Sequence, residues 1–448
     1  MTQRRAHGAW VLALALLSRL AVVVWAWSRF PPEADGKFYH TVAQRIAHGQ
    51  GYTWLWGDGA VTYAAHYPVG YPALVGAGYA VFGPSPGVAM SIAAVLGAVA
   101  SLLGYDVIAR HTTPRRALAG GLLLALHPAL VPYTAALMTD GLAASLLLVA
   151  AWLVDRAAAS TTRFPLKVLV PLGLLFGALT LLRPQSLVLA PVFGALALRG
   201  RGAKGYLAGA AVVVALTVAT CLPWTLRNCA RMDRCALVSV NGGWNLLIGA
   251  QTENGAWQEI RVPEACRNVF SEAGKDTCFE KAAKEEIRAR PVTWLLRVPA
   301  KLGATFDYFG AGPWYLHASS PAAFGDGAKA ALGAIETLVH RITLLGAFAV
   351  LGLGPGRRRR PRIVLAALGA VAALFPHGGA LAHLALAILA GTDTRLPARL
   401  ASAVLAATLA LHAVFFGAGR YGLVVVPFVV MVALLRPTPE DTGGIVVA

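Results

Sequence analysis

The sequence predicts an all-α polytopic membrane protein of about 11–13 transmembrane helices. It places amphipathic or interfacial helices in a first outer loop and adds a long extracytoplasmic loop. Three observations predict this. Of 448 residues, 57% are hydrophobic and only 13% are charged, where a soluble domain carries about 25% charged residues. The apolar residues come in long runs rather than in period-2 or period-3.6 alternation. The basic clusters fall between those runs, on one side of an alternating path. The net formal charge of +18 is therefore a topology signal. A nucleic-acid partner is excluded, since no basic stripe with interleaved aromatics runs along a polar face.

The path can be followed in order. Arg4 and Arg5 place the N-terminus in the cytoplasm, and residues 9–28 form the first span. That run is too long for a signal-peptide core and no small-residue cleavage site follows it, so it reads as uncleaved. A first outer loop covers 31–67. Within it, Phe38, Val42 and Ile46 recur at four-residue steps and predict an amphipathic helix over 36–48. The apolar stretch 71–82, bracketed by Pro and Gly, is too short to cross and reads as interfacial or re-entrant.

Span two (88–109) returns to Arg110, Arg115 and Arg116. Spans three (117–132) and four (142–154) lead to the 155–167 loop with Arg156, Arg163 and Lys167. Spans five and six make a hairpin with Arg183-Pro184 at its outer tip, returning to Arg199, Arg201 and Lys204. Span seven (206–223) enters a long polar segment, 224–291. Span eight (331–353) reaches the Arg357–Arg362 cluster, two short runs flank Pro376, and spans eleven and twelve close the chain around Arg420. The organisation is thus an N-terminal membrane module (1–223), an extracytoplasmic cysteine-containing loop (224–291), a C-terminal membrane module (292–436) and a polar tail (437–448).

Four of the five cysteines, Cys229, Cys235, Cys266 and Cys278, lie in the long loop. An even set in an extracytoplasmic loop reads as disulfides. Three pairings are open, the local ones being favoured. Zinc is the rival reading, but no histidine is near and the short spacing of a zinc module is missing.

This topology gathers the unusual polar residues on the outer face. They are Asp35, Lys37, His40, His66, Asp140, Arg183, Arg227, the loop of Trp244 and Trp257, and Arg420 with Tyr421. Acidic residues at a membrane surface are rare and need a reason. Asp35 reads either as the N-cap of the amphipathic helix or as a general base, and the two are compatible. Asp140 divides evenly between capping span four and function. Arg183 and Arg420 either snorkel to the interface or bind a phosphate leaving group. His40 and His66 are candidates for polar substrate contacts, with an aromatic-belt role as the alternative. The sequence assigns no cofactor. A divalent metal stays open, although no D-x-D or H-x-x-x-H pair supports one.

The chain resembles the GT-C glycosyltransferases, in particular the bacterial relatives of protein O-mannosyltransferases and of the lipid A aminoarabinose transferase. The resemblance rests first on Asp35-Gly-Lys-Phe-Tyr39, Ala43, Gly49-Gln-Gly-Tyr52, His66-Tyr-Pro-Val-Gly-Tyr-Pro-Ala73 and Phe82-Gly83. It continues through Met138-Thr-Asp140, Leu182-Arg-Pro184, Pro223-Trp-Thr-Leu-Arg-Asn228, Asn241-Gly-Gly-Trp-Asn-Leu246, Gly249 and Arg420-Tyr421. Each motif is weak alone; together, in family order over nearly the whole chain, they are fairly specific. The resemblance implies a donor sugar on a polyprenyl phosphate, used from the extracytoplasmic side of a bacterial inner membrane. It implies that Asp35 is the base, that Asp140 is a second acidic position, and that Arg420-Tyr421 opens the last span. Relatives often read Asp-Glu or Glu-x-x-Tyr in the first loop, so a contribution from Glu33 stays open.

The resulting expectation is an inverting glycosyltransferase. Asp35 and Asp140 would be catalytic, and Lys37, His40, His66, Arg183, Arg420 and Tyr421 substrate-binding. Its partners would be a polyprenyl-phosphate sugar, membrane lipid and a glycan, lipid or protein acceptor. A transporter or lipid flippase is the rival, but it would show inverted repeats. An O-antigen polymerase or ligase is the other.

Overall fold

The computed structural model describes residues 2–162, 164–354 and 359–436. The polar tail, together with Arg163, Arg357 and Arg358, lies outside the described residues. The described chain is a helical membrane bundle, and six of its helices are long and apolar enough to cross a bilayer.

The first span is α1 (Thr2–Ala26). The first loop then carries α2 (Asp35–Ala47), a small hairpin of β1 (Thr53–Leu55) and β2 (Val61–Tyr63), and α3 (Gly70–Phe82). The two strands pair antiparallel, with Trp54 opposite Thr62. The amphipathic reading holds: α2 buries Tyr39, Val42 and Ala43, and it packs along α3. Gly36 lets α2 approach the bundle, because a Cβ there would meet the Tyr315 hydroxyl at 2.8 Å and the Leu137 carbonyl at 3.0 Å.

Next come α4 (Pro86–His111), α5 (Pro114–Leu126), α6 (Thr139–Ala158), α7 (Leu166–Leu182) and α8 (Ala190–Ala197). Ser85 and Thr113 cap α4 and α5, each followed by a proline at the first helical position, where its missing N–H costs nothing. After α5 the chain unwinds through His127-Pro128 into a 3₁₀ turn, Pro132–Ala135. Buried Arg19 of α1 donates to the Ala125 carbonyl at 2.9 Å, satisfying an orphan acceptor at that break.

The seventh span, α9 (Gly202–Arg231), runs beyond the expected boundary at 223, through Pro223. It crosses α8 so closely that Gly194 and Gly209 meet backbone to backbone, the contact that small residues permit between membrane helices. The polar segment folds as α10 (Gly242–Gln251) against α11 (Glu272–Ala289). Its cysteines pair locally, Cys229 with Cys235 and Cys266 with Cys278, and Cys221 is free and buried.

Short helices α12 (Pro291–Leu296), α13 (Val298–Phe306) and α14 (Ala311–Ser319) lead into α15 (Asp326–Gly352). Then follow α16 (Arg359–Leu374), α17 (Gly379–Thr392) and α18 (Leu396–Val414). A 3₁₀ turn (Gly419–Val425) precedes the last helix, α19 (Val426–Ala433). The two short runs around Pro376 are separate helices, α16 and α17.

Ion pairs and hydrogen bonds tie the basic helix ends into one layer. Arg4 meets Asp106 at 2.8 Å, and His111 meets Asp155 at 2.7 Å. Arg116 donates to Leu434 O, Arg199 to Thr394 O, and Arg362 pairs with Asp393. Helix ends that should share a membrane face therefore do, and the remaining ends gather at the opposite end of the bundle.

Candidate active site

That opposite end holds a cavity of about 450 Å³. Its lining joins four distant parts of the chain: Asp35 and His66 of the first loop, Asp140 of α6 with Arg183 just after α7, Trp244 of α10, and Arg420 with Tyr421 before α19.

Two carboxylate–arginine pairs face it. Asp35 Oδ2 accepts from Arg420 Nη1 at 2.8 Å, and its Oδ1 accepts from the Tyr67 hydroxyl at 2.9 Å. Arg420 also donates to the Tyr421 hydroxyl at 3.2 Å. Asp140 Oδ2 accepts from the Tyr133 hydroxyl at 2.9 Å, and Asp140 Oδ1 pairs with Arg183. With the Gln185 amide oriented to satisfy both groups, its oxygen accepts from Arg183 Nε at 2.8 Å and from Nη2 at 2.9 Å. Tyr421 lies between the pairs: the Arg183 guanidinium sits 5.4 Å from its ring centre, and the His412 ring stacks on it at 4.4 Å.

Neither aspartate is a side-chain cap. Ala34 and Met138 occupy the cap positions of α2 and α6, and neither helix start has a side-chain cap hydrogen bond. Asp35 and Asp140 fall inside the first turns, so both carboxylates spend their acceptors across the cavity. Ala34 takes φ 51°, a left-handed value uncommon for alanine, immediately before Asp35.

Burial alone would raise the Asp35 carboxyl, but the Arg420 charge and hydrogen bond, with Tyr67, outweigh it and hold the group below the usual aspartate value. Asp35 is ionised at neutral pH. Burial pushes the His66 ring down to about 4, against the pull of Asp35, so His66 is neutral and can donate or accept. Burial and then Asp35 drive the Tyr67 hydroxyl up, so it stays a donor. The His66 backbone N–H donates to Glu272 Oε2 at 3.0 Å and Ala65 N–H to the same oxygen at 2.6 Å, which docks α11 onto the first loop.

The structure brings together Asp35, His66, Asp140, Arg183, Arg420 and Tyr421. It leaves Lys37 and His40 outside. Lys37 pairs with Glu33 at 2.8 Å on the exposed face of α2, so neither Lys37 nor Glu33 lines the cavity. His40 meets the Tyr79 hydroxyl at 2.7 Å between α2 and α3. Arg227 is a clasp, donating to the Ala64 and Tyr52 carbonyls at 2.9 Å each. Sequence reasoning passed over Tyr67, Tyr133, Gln185 and His412. The signals were present in part, since Tyr67 follows His66 and Tyr133 lies seven residues before Asp140.

Asp35 and Asp140 are each neutralised by an arginine, and among the described residues no group of three His, Cys, Asp or Glu side chains could hold a metal ion.

Residues 66–224 match the family described as dolichyl-phosphate-mannose-protein mannosyltransferase. The resemblance to the GT-C glycosyltransferases is borne out over that stretch, which includes His66, Asp140 and Arg183; Asp35 and Arg420 lie outside it. No curated protein sequence matches the chain. Among solved structures, the chain is similar to ArnT from Cupriavidus metallidurans bound to undecaprenyl phosphate. The identity is 14% and the TM-score 0.43, covering 95% of this chain and 77% of that one. It is also similar to the oligosaccharyltransferase AglB of Archaeoglobus fulgidus in complex with an inhibitory peptide and a dolichol-phosphate. There the identity is 14% and the TM-score 0.45, covering 95% of this chain and 50% of that one. The apo form of an Archaeoglobus fulgidus oligosaccharyltransferase gives 13% identity and a TM-score of 0.49, again over 95% and 50%. The chain thus spans about half the length of the archaeal enzymes. Likenesses of that strength carry no function across.

Proposed function

We propose that this protein is an inverting membrane glycosyltransferase that moves a sugar from a polyprenyl-phosphate donor to an extracytoplasmic acceptor. The observation that carries the reading is the convergence of two arginine-held carboxylates, from four distant segments, on one cavity at one end of the bundle. The positive-inside rule puts the arginine-rich opposite end in the cytoplasm, which turns the cavity outward, toward the periplasm of a bacterial inner membrane.

A small void of about 40 Å³ adjoins the cavity between α6, the turn Pro184–Leu189 and α18. It shares Arg183, Gln185, His412 and Tyr421 with the cavity and is otherwise lined by apolar side chains such as Leu147, Leu189, Val404 and Val424. In this reading the phosphate of the lipid donor lies at the arginines. Asp35 then takes the proton of an acceptor hydroxyl or amine. The freed oxygen or nitrogen attacks the sugar C1, the C1–O bond to phosphate breaks, and polyprenyl phosphate leaves with the electron pair. One displacement inverts the anomeric centre. Arg420 has a part on both sides of this step: by turning from Asp35 to the phosphate it leaves the carboxylate a stronger base as it neutralises the leaving group.

A transporter or flippase would hold its ionisable binding groups near the bilayer midplane; the charged pairs here gather at one end of the bundle. The test is reconstitution of the purified protein with defined polyprenyl-phosphate sugars. Release of polyprenyl phosphate coupled to acceptor glycosylation is expected. Sugar-lipid movement across the membrane without bond cleavage would overturn the reading.

A further inference from the structure

A second cluster of titratable groups lies within the spans, behind the elements that carry the site. Glu336 and His340 are one turn apart on α15, His383 is on α17, and His127 follows α5; all four are buried. His383 Nδ1 lies 2.7 Å from the Gly379 carbonyl, so that nitrogen must carry hydrogen and its Nε2 must be bare. His340 Nε2 lies 2.9 Å from His383 Nε2 and is therefore the donor, which leaves His340 Nδ1 as a bare acceptor. His127 Nδ1 accepts from the Ala129 N–H at 3.1 Å, so its Nε2 carries the hydrogen. Among the described residues, His340 Nδ1, His127 Nε2 and both Glu336 carboxyl oxygens have no hydrogen-bond partner. Buried polar groups are rarely left so, and an ionisable group inside a membrane span is a candidate functional site.

We propose that Glu336 and His340, bridged by bound water, form an intramembrane proton-binding site. The proton leaves the Glu336 carboxyl O–H and joins the bare Nδ1 of His340 through the water, while the Nε2–H of His340 stays on His383. Phe309 and Phe306 stack on the two imidazoles, at 3.9 and 4.3 Å between ring centres, closing the pair off from lipid. The other groups facing the cluster are Arg341 on α15, which donates to the Asp307 and Pro376 carbonyls, Tyr308 before α14, and Arg19 beyond His127.

The position matters. A Cβ on Gly312 would meet Glu336 Oε1 at 3.1 Å and the Tyr133 nitrogen at 3.6 Å, so the carboxyl backs the turn whose tyrosine holds Asp140. Phe309, stacked on His340, would meet a Cβ on Gly422 at 2.9 Å, two residues from Arg420. The proton site thus sits behind both arms of the cavity. This inference rests on the cluster and is independent of the proposed reaction.

Infrared spectroscopy of the full-length protein in lipid nanodiscs tests it, with histidine ¹⁵N magnetic resonance alongside. A carboxylic-acid carbonyl band is expected at neutral pH. It should shift in D₂O, move again in His340→Gln and be lost in Glu336→Gln, and the unsubstituted protein should show a bare His340 Nδ1. A Glu336 carboxylate at neutral pH, an acid band indifferent to D₂O, or a band unmoved by His340→Gln would each overturn the proposal. The wild-type spectra decide the first two outcomes even if a variant fails to fold.

Discussion

The two carboxylate–arginine pairs of the cavity are chemically the same and physically different. In the Asp35–Arg420 pair each side chain is 24% exposed, and the partners come from the first loop and the turn before α19. In the Arg183–Asp140 pair the side chains are 9% and 2% exposed. Gln185 and Tyr133 hold that pair from both sides. A buried, fully bonded ion pair is costly to break, because the survivor is left as an unpaired charge. A pair with more of its surface free, lining an open cavity, exchanges partners more easily. The difference assigns the roles: Asp140–Arg183 is the fixed post of the site, and Asp35–Arg420 is the pair that can open when a phosphate and an acceptor arrive.

Substituting Asp35 tests the assignment most severely. Asp35→Asn removes the base and keeps the shape, and transfer is expected to fall by about 10³–10⁴-fold with the protein at normal levels in the membrane. Because the Asp35 pair is the less buried of the two, the thermal unfolding temperature should move less than for a change at Asp140. Full transfer by this variant would end the assignment.

The matching change in the buried pair should act on stability instead. Asp140→Ala strands Arg183 and is expected to cost about 3–5 kcal/mol, read as loss of folded protein in detergent. Replacing both partners together, Asp140→Leu with Arg183→Met, should recover most of that stability without recovering transfer. If the single variant is as stable as the wild type, the post does not exist.

The pattern of successes and misses in the sequence follows from the same physics. An ionisable residue at a membrane surface is conspicuous against an apolar background, so Asp35, Asp140, Arg183 and Arg420 stood out, and alternating basic clusters set the passes that bring them together. Lys37 and His40 were drawn in by nearness in sequence. Two and five residues on from Asp35, they sit about 160° and 140° around α2 at 100° per residue, away from the cavity. Tyr39, four residues on, shares the Asp35 face and does line the cavity. Tyr67 and Tyr133 were hidden because tyrosines at an interface ordinarily need no further explanation, and which of them reaches a carboxylate depends on tertiary approach. The cap expectations failed by one residue at Asp35 and by two at Asp140, an error that turns an acceptor aimed at its own helix into one aimed at the site.

Arg420→Gln addresses the exchange of partners. It should raise the donor KM by about 10–100-fold, the worth of one or two charge-assisted hydrogen bonds. It should also move the pH profile. Asp35 is held below its ordinary value against burial chiefly by Arg420, so the favourable contribution of its ionised form is present above the unfolded value. That contribution is lost only as pH falls through the lower folded value. Without Arg420 the burial effect prevails, the carboxyl rises, and the acid limb of activity shifts to higher pH. An unmoved acid limb would show that another group sets it.

The smallest effect is expected at Glu272, which offers a control of opposite sign. Its carboxyl is raised chiefly by burial, against two backbone N–H donors and Arg227. A carboxyl whose folded value lies above its unfolded one costs stability at higher pH, and that cost is relieved as pH falls through the folded value. Glu272→Gln keeps an oxygen that can accept from Ala65 and His66 but never titrates. At neutral pH the variant should lie within about 1 kcal/mol of the wild type. As pH falls through the raised value, the wild type should gain on the variant, while over the same window Asp35 stays ionised and transfer persists. Thermal unfolding of the two proteins across that range measures the slope. A wild type that loses ground to the variant on acidification would mean that the charged form of Glu272 is what docks α11 on the first loop.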